Sequence, residues 1–582
     1  MSHLLADKTK FTQSPGEREK TTYAEKQIVR VLKSMKDRGY LDQLTFETIK
    51  PCGSTIPRLY GLPKIHKTGT PLRPILSMIN SPYHGTAKWL AAKLEPIRRT
   101  LAKYSLKDSF EFVETIKHLN IKNDQMFSLD VTSLFTNVPI LETIDFVCDY
   151  IETNQVSINI PRKELKELLL RCTFDVQFLF DGKLYRQCDG VAMGSPLGPV
   201  LADIFMAKLE STTLKQEIQE MNLYRRYIDD IFCLRTKETD IEKTKQMFNN
   251  AHKAIQFTVE TEKNDTLAFL DVSIHRNTNG TVERRIHRKQ TWTGQYTNFL
   301  SFVPIRQKRN LVQCLASRVR KLCSQETVEE ELHLVRNTLK ENGYPERFIE
   351  QNLKDRPKCA PSYDVPKKKL FIRMPFKGDA ISDHVNRRLT RAVSGTFNSA
   401  RVACVFASSP IIRNSNKDVL PMLANSMVIY LFRCKCNATY IGRTARQLSQ
   451  RIKEHCPRWL QHGGTGTIGS AILGHLVDSG HKISTDSTFK IVYRVPLNPH
   501  KHIRLHTKAT AEAISIRLFA PALCTQKKFV QALQLPWPQV DHPHPSHSAP
   551  NHVTVTTWSC RSTRRSNPNP SPPQTTSNPN DP

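Results

Sequence analysis

What the 582-residue chain lacks narrows its class first. No stretch approaches the roughly 18 apolar residues that a membrane-spanning helix needs. The opening residues, MSHLLADKTKFTQSPGEREK, lack the basic-then-apolar layout of a secretory leader. The 14 cysteines are scattered without the dense spacing of a disulfide framework. These three absences point to a reducing intracellular compartment, with thiols free or on metal. No short-period internal repeat is present. Acidic residues are also scarce: 54 Asp and Glu stand against 85 Lys and Arg, a formal net charge of +31. Such an excess sets aside an ordinary metabolic enzyme and calls for a polyanionic partner, nucleic acid ahead of an anionic membrane surface.

Apolar content of 39% is enough for real cores, and the length suits about three or four domains. Ile28, Val31, Leu32 and Met35 recur at helical spacing, so 1–55 reads as an N-terminal helical segment. From 56 to 285 short β-type runs alternate with helical ones, the pattern of an α/β or α+β core. MFSLDVTSLF, FDVQFLFDGKLYRQ, YRRYIDDIFCL and LAFLDVSIHR are the expected strands, with Asp181-Gly182-Lys183 a hairpin turn. Residues 286–355 turn helical, the last long helix closed by Gly343 and Pro345. A basic linker is expected over 356–424, a compact module over 425–525, and a disordered Pro-, Ser-, Asn- and Thr-rich tail over 536–582.

Asp229 and Asp230 sit side by side inside the aromatic and aliphatic run YRRYIDDIFCL. Adjacent carboxylates in a half-buried strand repel and resist desolvation. Two environments tolerate them, a solvated hairpin tip or a bound cation, and the run alone does not choose. A third carboxylate, Asp130, ends an apolar strand in FSLDVTSLFTNVP, five residues before Phe135. Phosphoryl transfer to a nucleotide uses two divalent ions about 3.5–4 Å apart, and Mg²⁺ takes oxygen ligands. One aspartate from a strand and a pair from a neighbouring hairpin meet that need. Between them, RQCDGVAMGSPLGPVLADIFMAKL gathers small residues that admit close backbone approach; ahead lie Lys64, Lys67 and Arg73, cations suited to a triphosphate.

In this order the set resembles a reverse transcriptase. More narrowly, YGLPKIHK, LRPILS, SLDVTSLFTNVP, GVAMGSPLGP and FLDVSI resemble the Penelope-like retroelement proteins, whose catalytic domain is related to telomerase reverse transcriptase. The resemblance runs from about 20 to 525 and implies an α+β multidomain fold. Its parts would be a right-hand polymerase palm and fingers, a helical thumb, and a small α/β nuclease domain. It also implies that Asp130, Asp229 and Asp230 hold two Mg²⁺ ions and that Tyr227 supports the primer end or the metal-bearing hairpin. Phe135 would gate against a ribose 2′-hydroxyl, Lys64 and Arg73 would touch the incoming dNTP, and Gln187 would contact the template. Arg306, Lys308, Arg309, Arg318, Arg320 and Lys321 would grip the phosphates of an RNA–DNA hybrid.

The stretch MVIYLFRCKCNATYIGRTARQLSQRIKEH reads as strand, turn, strand and helix, with Arg451 and His455 four apart on one helix face. Tyr, Arg, His and a lone Glu are a set that cleaves a phosphodiester with one metal. This module resembles the GIY-YIG nucleases, which are also the endonucleases of Penelope-like elements, although Val428-Ile429-Tyr430 lacks the first glycine. The resemblance assigns function to Tyr430, Tyr440, Arg451, His455 and Glu512, the last holding Mg²⁺, with Arg446 following the second tyrosine motif. Cys434, Cys436, His475 and His481 make a candidate Zn²⁺ set of two thiolates and two imidazoles. Buried cysteines with surface histidines is the bland alternative, and His455 and Cys456 are rival ligands. Together the modules imply a nuclear enzyme that nicks target DNA and extends the freed 3′-hydroxyl on an RNA template. Its partners would be template RNA, primer and target DNA, and dNTPs, with no membrane. The rival expectation is a truncated or domesticated nucleic-acid-binding protein, since the chain opens close to YGLPKIHK.

Overall fold

The computed structural model describes residues 2–16, 19–65, 69–354, 368–397, 400–408, 417–461, 464, 466–496 and 501–524. The chain divides into Met1–Phe529 and Val530–Pro582, and every described residue lies in the first unit. The expected tail, 536–582, and Lys67 therefore lie outside the described residues.

The heart of the N-terminal half is a four-stranded antiparallel sheet in the order Leu223–Tyr227, Asp230–Thr236, Asp124–Val131, Phe257–Thr261. One face packs on the helix Leu197–Ser211, which is apolar nearly all round and correspondingly buried. The same core takes in Ile28, Val31, Leu32 and Met35 from the helix Thr21–Asp37, so the N-terminal amphipathic stripe is used as its spacing predicts. The opposite face meets a second cluster built on Phe112, Phe232, Phe269 and Val272.

A five-stranded sheet, ordered Phe11–Gln13, Lys183–Gln187, Val176–Phe180, Arg58–Pro63, Leu72–Ser77, stands beside it. The Asp181-Gly182 turn has positive φ at both residues, +50° and +68°. That is what a two-residue hairpin with matching strand twist needs. A three-stranded sheet, Thr266–Phe269, Val272–Arg276 and Val282–Ile286, leads into three helices, Ile305–Leu322, Val328–Glu341 and Glu346–Leu353. They bury Val312, Val319, Leu332, Leu339 and Ile349 together.

The expected linker over 356–424 is corrected in its described part. Strands Lys368–Pro375 and Ala400–Ala407 pair in parallel, joined by the helix Asp379–Thr396. Leu370, Ile372 and Met374 are cross-strand partners of Val402, Cys404 and Phe406. The interleaved Lys369, Arg373 and Arg401 conceal that alternation when the segment is read by charge. The unit is fastened to the preceding helices by Ile305 N–H donating to Asp379 Oδ1 at 2.9 Å. A Phe302–Phe376 ring pair at 4.8 Å adds a second contact.

The C-terminal module is a three-stranded antiparallel sheet, Thr439–Thr444, Val428–Arg433, Phe489–Arg494, with the helices Leu448–His455, Ala471–Ser479 and Lys501–Phe519. It is bound to the N-terminal half by polar contacts. Gln447 Nε2 donates to Glu19 Oε1 at 3.0 Å, and Gln450 Nε2 to Thr22 Oγ1 at 2.7 Å. Arg504 donates to Asn80 Oδ1 at 3.2 Å. No helix among the described residues is long and apolar enough to cross a membrane.

Candidate active sites

In the four-stranded sheet, Asp130 is the direct cross-strand partner of Asp230. Opposed residues project from the same face, and like charges there destabilise a sheet. Asp229 adds a third carboxylate from the two-residue turn Ile228-Asp229. Both carbonyls of that turn are tied down. Val131 N–H donates to Asp229 O at 2.9 Å, and Arg226 Nη1 donates to Ile228 O at 3.3 Å. Ile228 takes φ of +56°, a costly conformation for a β-branched residue, which these anchors hold in place. Burial raises the Asp229 carboxyl above its usual range, and Asp130 pushes the same way. Arg73 and Lys64 pull it down, so the two cations expected for a triphosphate lie within electrostatic reach of the carboxylates. Arg73 comes from the strand Leu72–Ser77, while Lys64 N–H donates to Pro71 O at 2.9 Å across the same hairpin.

The glycine-rich motif closes the floor of this site. Gly190 and Gly194 have φ of +73° and +122°. A Cβ on Gly190 would meet Thr136 O at 2.6 Å, and one on Gly194 would collide with Leu76 O. Two backbone bonds complete the seam, Val191 N–H to Phe135 O at 2.6 Å and Leu76 N–H to Met193 O at 2.9 Å. The half-buried Phe135 ring lies against Gly198, where a Cβ would come within 3.7 Å of it. Tyr227 faces the second apolar cluster and partners Asp230 in the hairpin. Gln187, expected at the template, is buried, and its Nε2 donates to Asp189 O at 3.2 Å.

Part of the expected basic face of Ile305–Leu322 is engaged within the protein, while Arg306 and Lys321 are exposed. Lys308 is buried and donates to Phe299 O; Arg318 pairs with Asp271 at 2.9 Å. Arg320 donates to Leu353 O, and Lys321 lies over the Phe110 ring. Sequence reading also passed over Arg226. It is fully buried and bridges Asp203 at 2.6 Å and Glu210, both on the helix Leu197–Ser211. Asp203 takes a second guanidinium from Arg98, and Glu210 accepts from Tyr224 Oη at 3.1 Å. Asp203 and Glu210, seven apart on an otherwise apolar helix, were the available signal.

In the C-terminal module, Tyr430, Tyr440, Arg451 and His455 converge. Tyr430 Oη lies 2.7 Å from His455 Nε2, and Arg451 Nε donates to the same oxygen at 3.3 Å. His455 Nδ1 lies 2.8 Å from Ser470 Oγ, the cap of Ala471–Ser479, which also accepts from Leu473 N–H. Arg451 donates to the phenol oxygen, and the imidazole tautomer decides whether His455 accepts from Tyr430 and donates to Ser470 or the reverse. Burial drives the Tyr430 phenol far above its ordinary range, with Arg451 acting against it. Gly442, opposite Tyr430 in the sheet, leaves the room for this arrangement; a Cβ there would sit 2.5 Å from Tyr430 Oη. Glu512, buried in Lys501–Phe519, pairs with Arg443 at 3.1 Å. Arg446 is held instead by Glu454. Ser470 and Arg443 escaped sequence reading, although a serine before an apolar helical run is a cap signature.

Cys434, Cys436, His475 and His481 bring one ligand atom each within 4.8 Å of one another. Cys434 Sγ is 3.3 Å from His481 Nδ1, and Cys436 Sγ is 3.4 Å from His475 Nε2. Two thiols and two imidazoles so clustered are compatible with tetrahedral zinc. The rival ligand His455 is engaged by Tyr430 and Ser470.

Residues 65–299 match the family model Reverse transcriptase (RNA-dependent DNA polymerase), and 295–354 match the Animal helix-turn-helix domain. The chain thus carries a reverse transcriptase domain that includes both carboxylate-bearing strands, with a helix-turn-helix domain directly behind it. No curated protein sequence matches. Among solved structures, apo telomerase from Candida tropicalis is similar at 14% identity and TM-score 0.35, over 60% of this chain and 61% of that one. Telomerase from Candida albicans with a fragment of telomeric RNA gives 12% and 0.35, over 57% and 63%. A Sicinivirus RNA-dependent RNA polymerase gives 11% and 0.34, over 59% and 73%. The chain therefore spans a little over three fifths of the telomerase chains it resembles.

Proposed function

We propose that the chain is an RNA-directed DNA polymerase of the Penelope-like retroelement type, with a GIY-YIG-type DNA endonuclease in its C-terminal module. The observation that carries the polymerase reading is the facing pair Asp130 and Asp230 with Asp229 at the adjoining turn. Three carboxylates so placed suit divalent cations, which would offset the like charges opposed on one sheet face beside Arg73 and Lys64. Bound Mg²⁺ would supply activation of a 3′-hydroxyl and charge neutralisation at the leaving pyrophosphate. Arg73 and Lys64 hold the triphosphate, Phe135 walls the sugar, and Arg226 fixes the turn. Gln187 has no direct part.

In the endonuclease, Tyr430 and His455 order the attacking water and take up its proton, Arg451 stabilises charge on the phosphate, and Glu512 is the ligand for a single divalent ion. Arg443 is half exposed and is the group that ion would displace. Cys434, Cys436, His475 and His481 would hold zinc, which would brace the hairpin that carries Tyr430 and Tyr440. A nick leaves a 3′-hydroxyl, which is the primer a polymerase requires; target-primed copying follows from having both on one chain.

The test is primer extension by the full chain on an RNA template with dNTPs and Mg²⁺. DNA product is expected. Tight template binding without any incorporation would overturn the enzyme reading in favour of a binding protein.

A further inference from the structure

A cavity of about 120 Å³ lies where the C-terminal module meets the N-terminal half. It is lined by residues 48–54, by Asn80, Ser81, His84 and Gly85, and by Arg504. That volume is roughly four waters' share of liquid at about 30 Å³ each, the size of a tetrahedral oxyanion. Four side-chain atoms around it lack a hydrogen-bond partner among the described residues: Asn80 Nδ2, Ser81 Oγ, His84 Nδ1 and Arg504 Nε. Ser81 is only 5% exposed, and its hydroxyl oxygen is buried. Native interiors rarely leave one such group, and four around one cavity mark a place built for something to accept from them.

Arg504, Asn80 and Ser81 offer donors to the cavity, and His84 Nδ1 does so in one tautomer. Asn80 Oδ1 is already used by Arg504, which turns the amide N–H groups to the free side. His84 and Gly85 open the helix His84–Leu101, which has no side-chain cap, so its first-turn N–H groups add positive potential. None of the described lining residues is acidic. The nearest carboxylates are already engaged, Glu25 by Ser54 and Glu47 by Lys50. Burial lowers the Arg504 pKa, with the Cys52 thiol of the lining acting against it.

We propose that this cavity binds a phosphoryl group, held by Arg504, Ser81, Asn80 and His84. Arg504, Lys508 and Glu512 follow at four-residue intervals on one face of the same helix. The site therefore lies about 12 Å along that axis from Glu512. A backbone phosphate of a bound strand and a free phosphate offer the same oxygens. The proposal needs neither catalytic activity.

The test uses the full chain and inorganic phosphate, with sodium chloride at equal ionic strength as the control. Wild type should show a saturable rise in Tm with phosphate. Arg504→Gln should weaken phosphate at least about tenfold, and Ser81→Ala about fivefold, for the loss of one charged and one neutral hydrogen bond. Ser81→Ala should keep or raise phosphate-free stability, which separates ligand loss from misfolding. If phosphate also displaces a labelled single-stranded oligonucleotide from wild type but not from Arg504→Gln, the natural occupant is a strand phosphate; without displacement it is the free anion. An equal phosphate response in all three proteins, or none, would overturn the proposal.

Discussion

In the four-stranded sheet, Asp130 and Asp230 oppose each other and Asp229 is pushed toward its protonated form by burial. In the C-terminal sheet, Tyr430, His455 and Ser470 form a relay of hydrogen bonds, Tyr430 to His455 at 2.7 Å and His455 to Ser470 at 2.8 Å. The first centre is electrostatically incomplete and draws its geometry from strand register and a buried arginine. The second is held by its own hydrogen bonds, with Glu512 paired to Arg443. A site of the first kind depends on cations for stability as well as chemistry; a site of the second kind keeps its shape without them.

The largest expected effect comes from removing a carboxylate of the incomplete centre. Asp130→Asn should lower primer extension by at least about a thousandfold, more than 4 kcal/mol of barrier, while leaving nicking unchanged. Next is the arginine behind it. Arg226→Ala leaves Asp203 and Glu210 buried without their partner, and should cost about 3–5 kcal/mol in urea unfolding. In the relay, Arg451→Ala should reduce nicking about 10²–10³-fold and spare extension. Gly442→Ala drives a methyl into Tyr430 Oη and should cost about 1–3 kcal/mol.

The smallest effect carries a sign that sharpens the contrast. Asp229 has a raised carboxyl in the metal-free fold, so the stability it contributes is full below the ordinary value of about 3.9 and is lost as pH rises through the folded value. Asp229→Asn removes that loss. Without metal, the variant should therefore melt above wild type at neutral pH and level with it near pH 3. Added Mg²⁺ should reverse the order. No change of order with Mg²⁺ would contradict a metal-binding carboxylate cluster.

Much of this was legible in the chain because most candidate groups sit on a strong periodic signal. Asp130 ends an alternating strand, Asp229 and Asp230 interrupt one, and Arg451 and His455 share a helix face. Cys434, Cys436, His475 and His481 could be grouped by ligand chemistry, and the fold does gather them. The misses have a common cause, which is that charge was read as exposure. Arg226 looked like one of many surface cations, yet lies at zero exposure between two carboxylates. Lys308 and Arg320 looked like part of an open phosphate grip and donate instead to the carbonyls of Phe299 and Leu353, while Arg318 pairs with Asp271 at the surface. The segment with Lys369, Arg373 and Arg401 looked like a linker and holds a parallel strand pair. Pairing partners distant in sequence decide whether a basic residue faces solvent, and spacing along the chain does not contain them.

The most direct measurement is a crossed assay on one substrate, with an RNA template, nickable target DNA, Mg²⁺ and dNTPs. It would compare wild type, Asp229→Asn and Glu512→Ala, each shown to be folded. The account predicts that Asp229→Asn nicks normally and extends nothing. It predicts that Glu512→Ala extends a supplied primer normally and does not nick. Loss of both activities in either folded variant, or normal extension by Asp229→Asn, would contradict it.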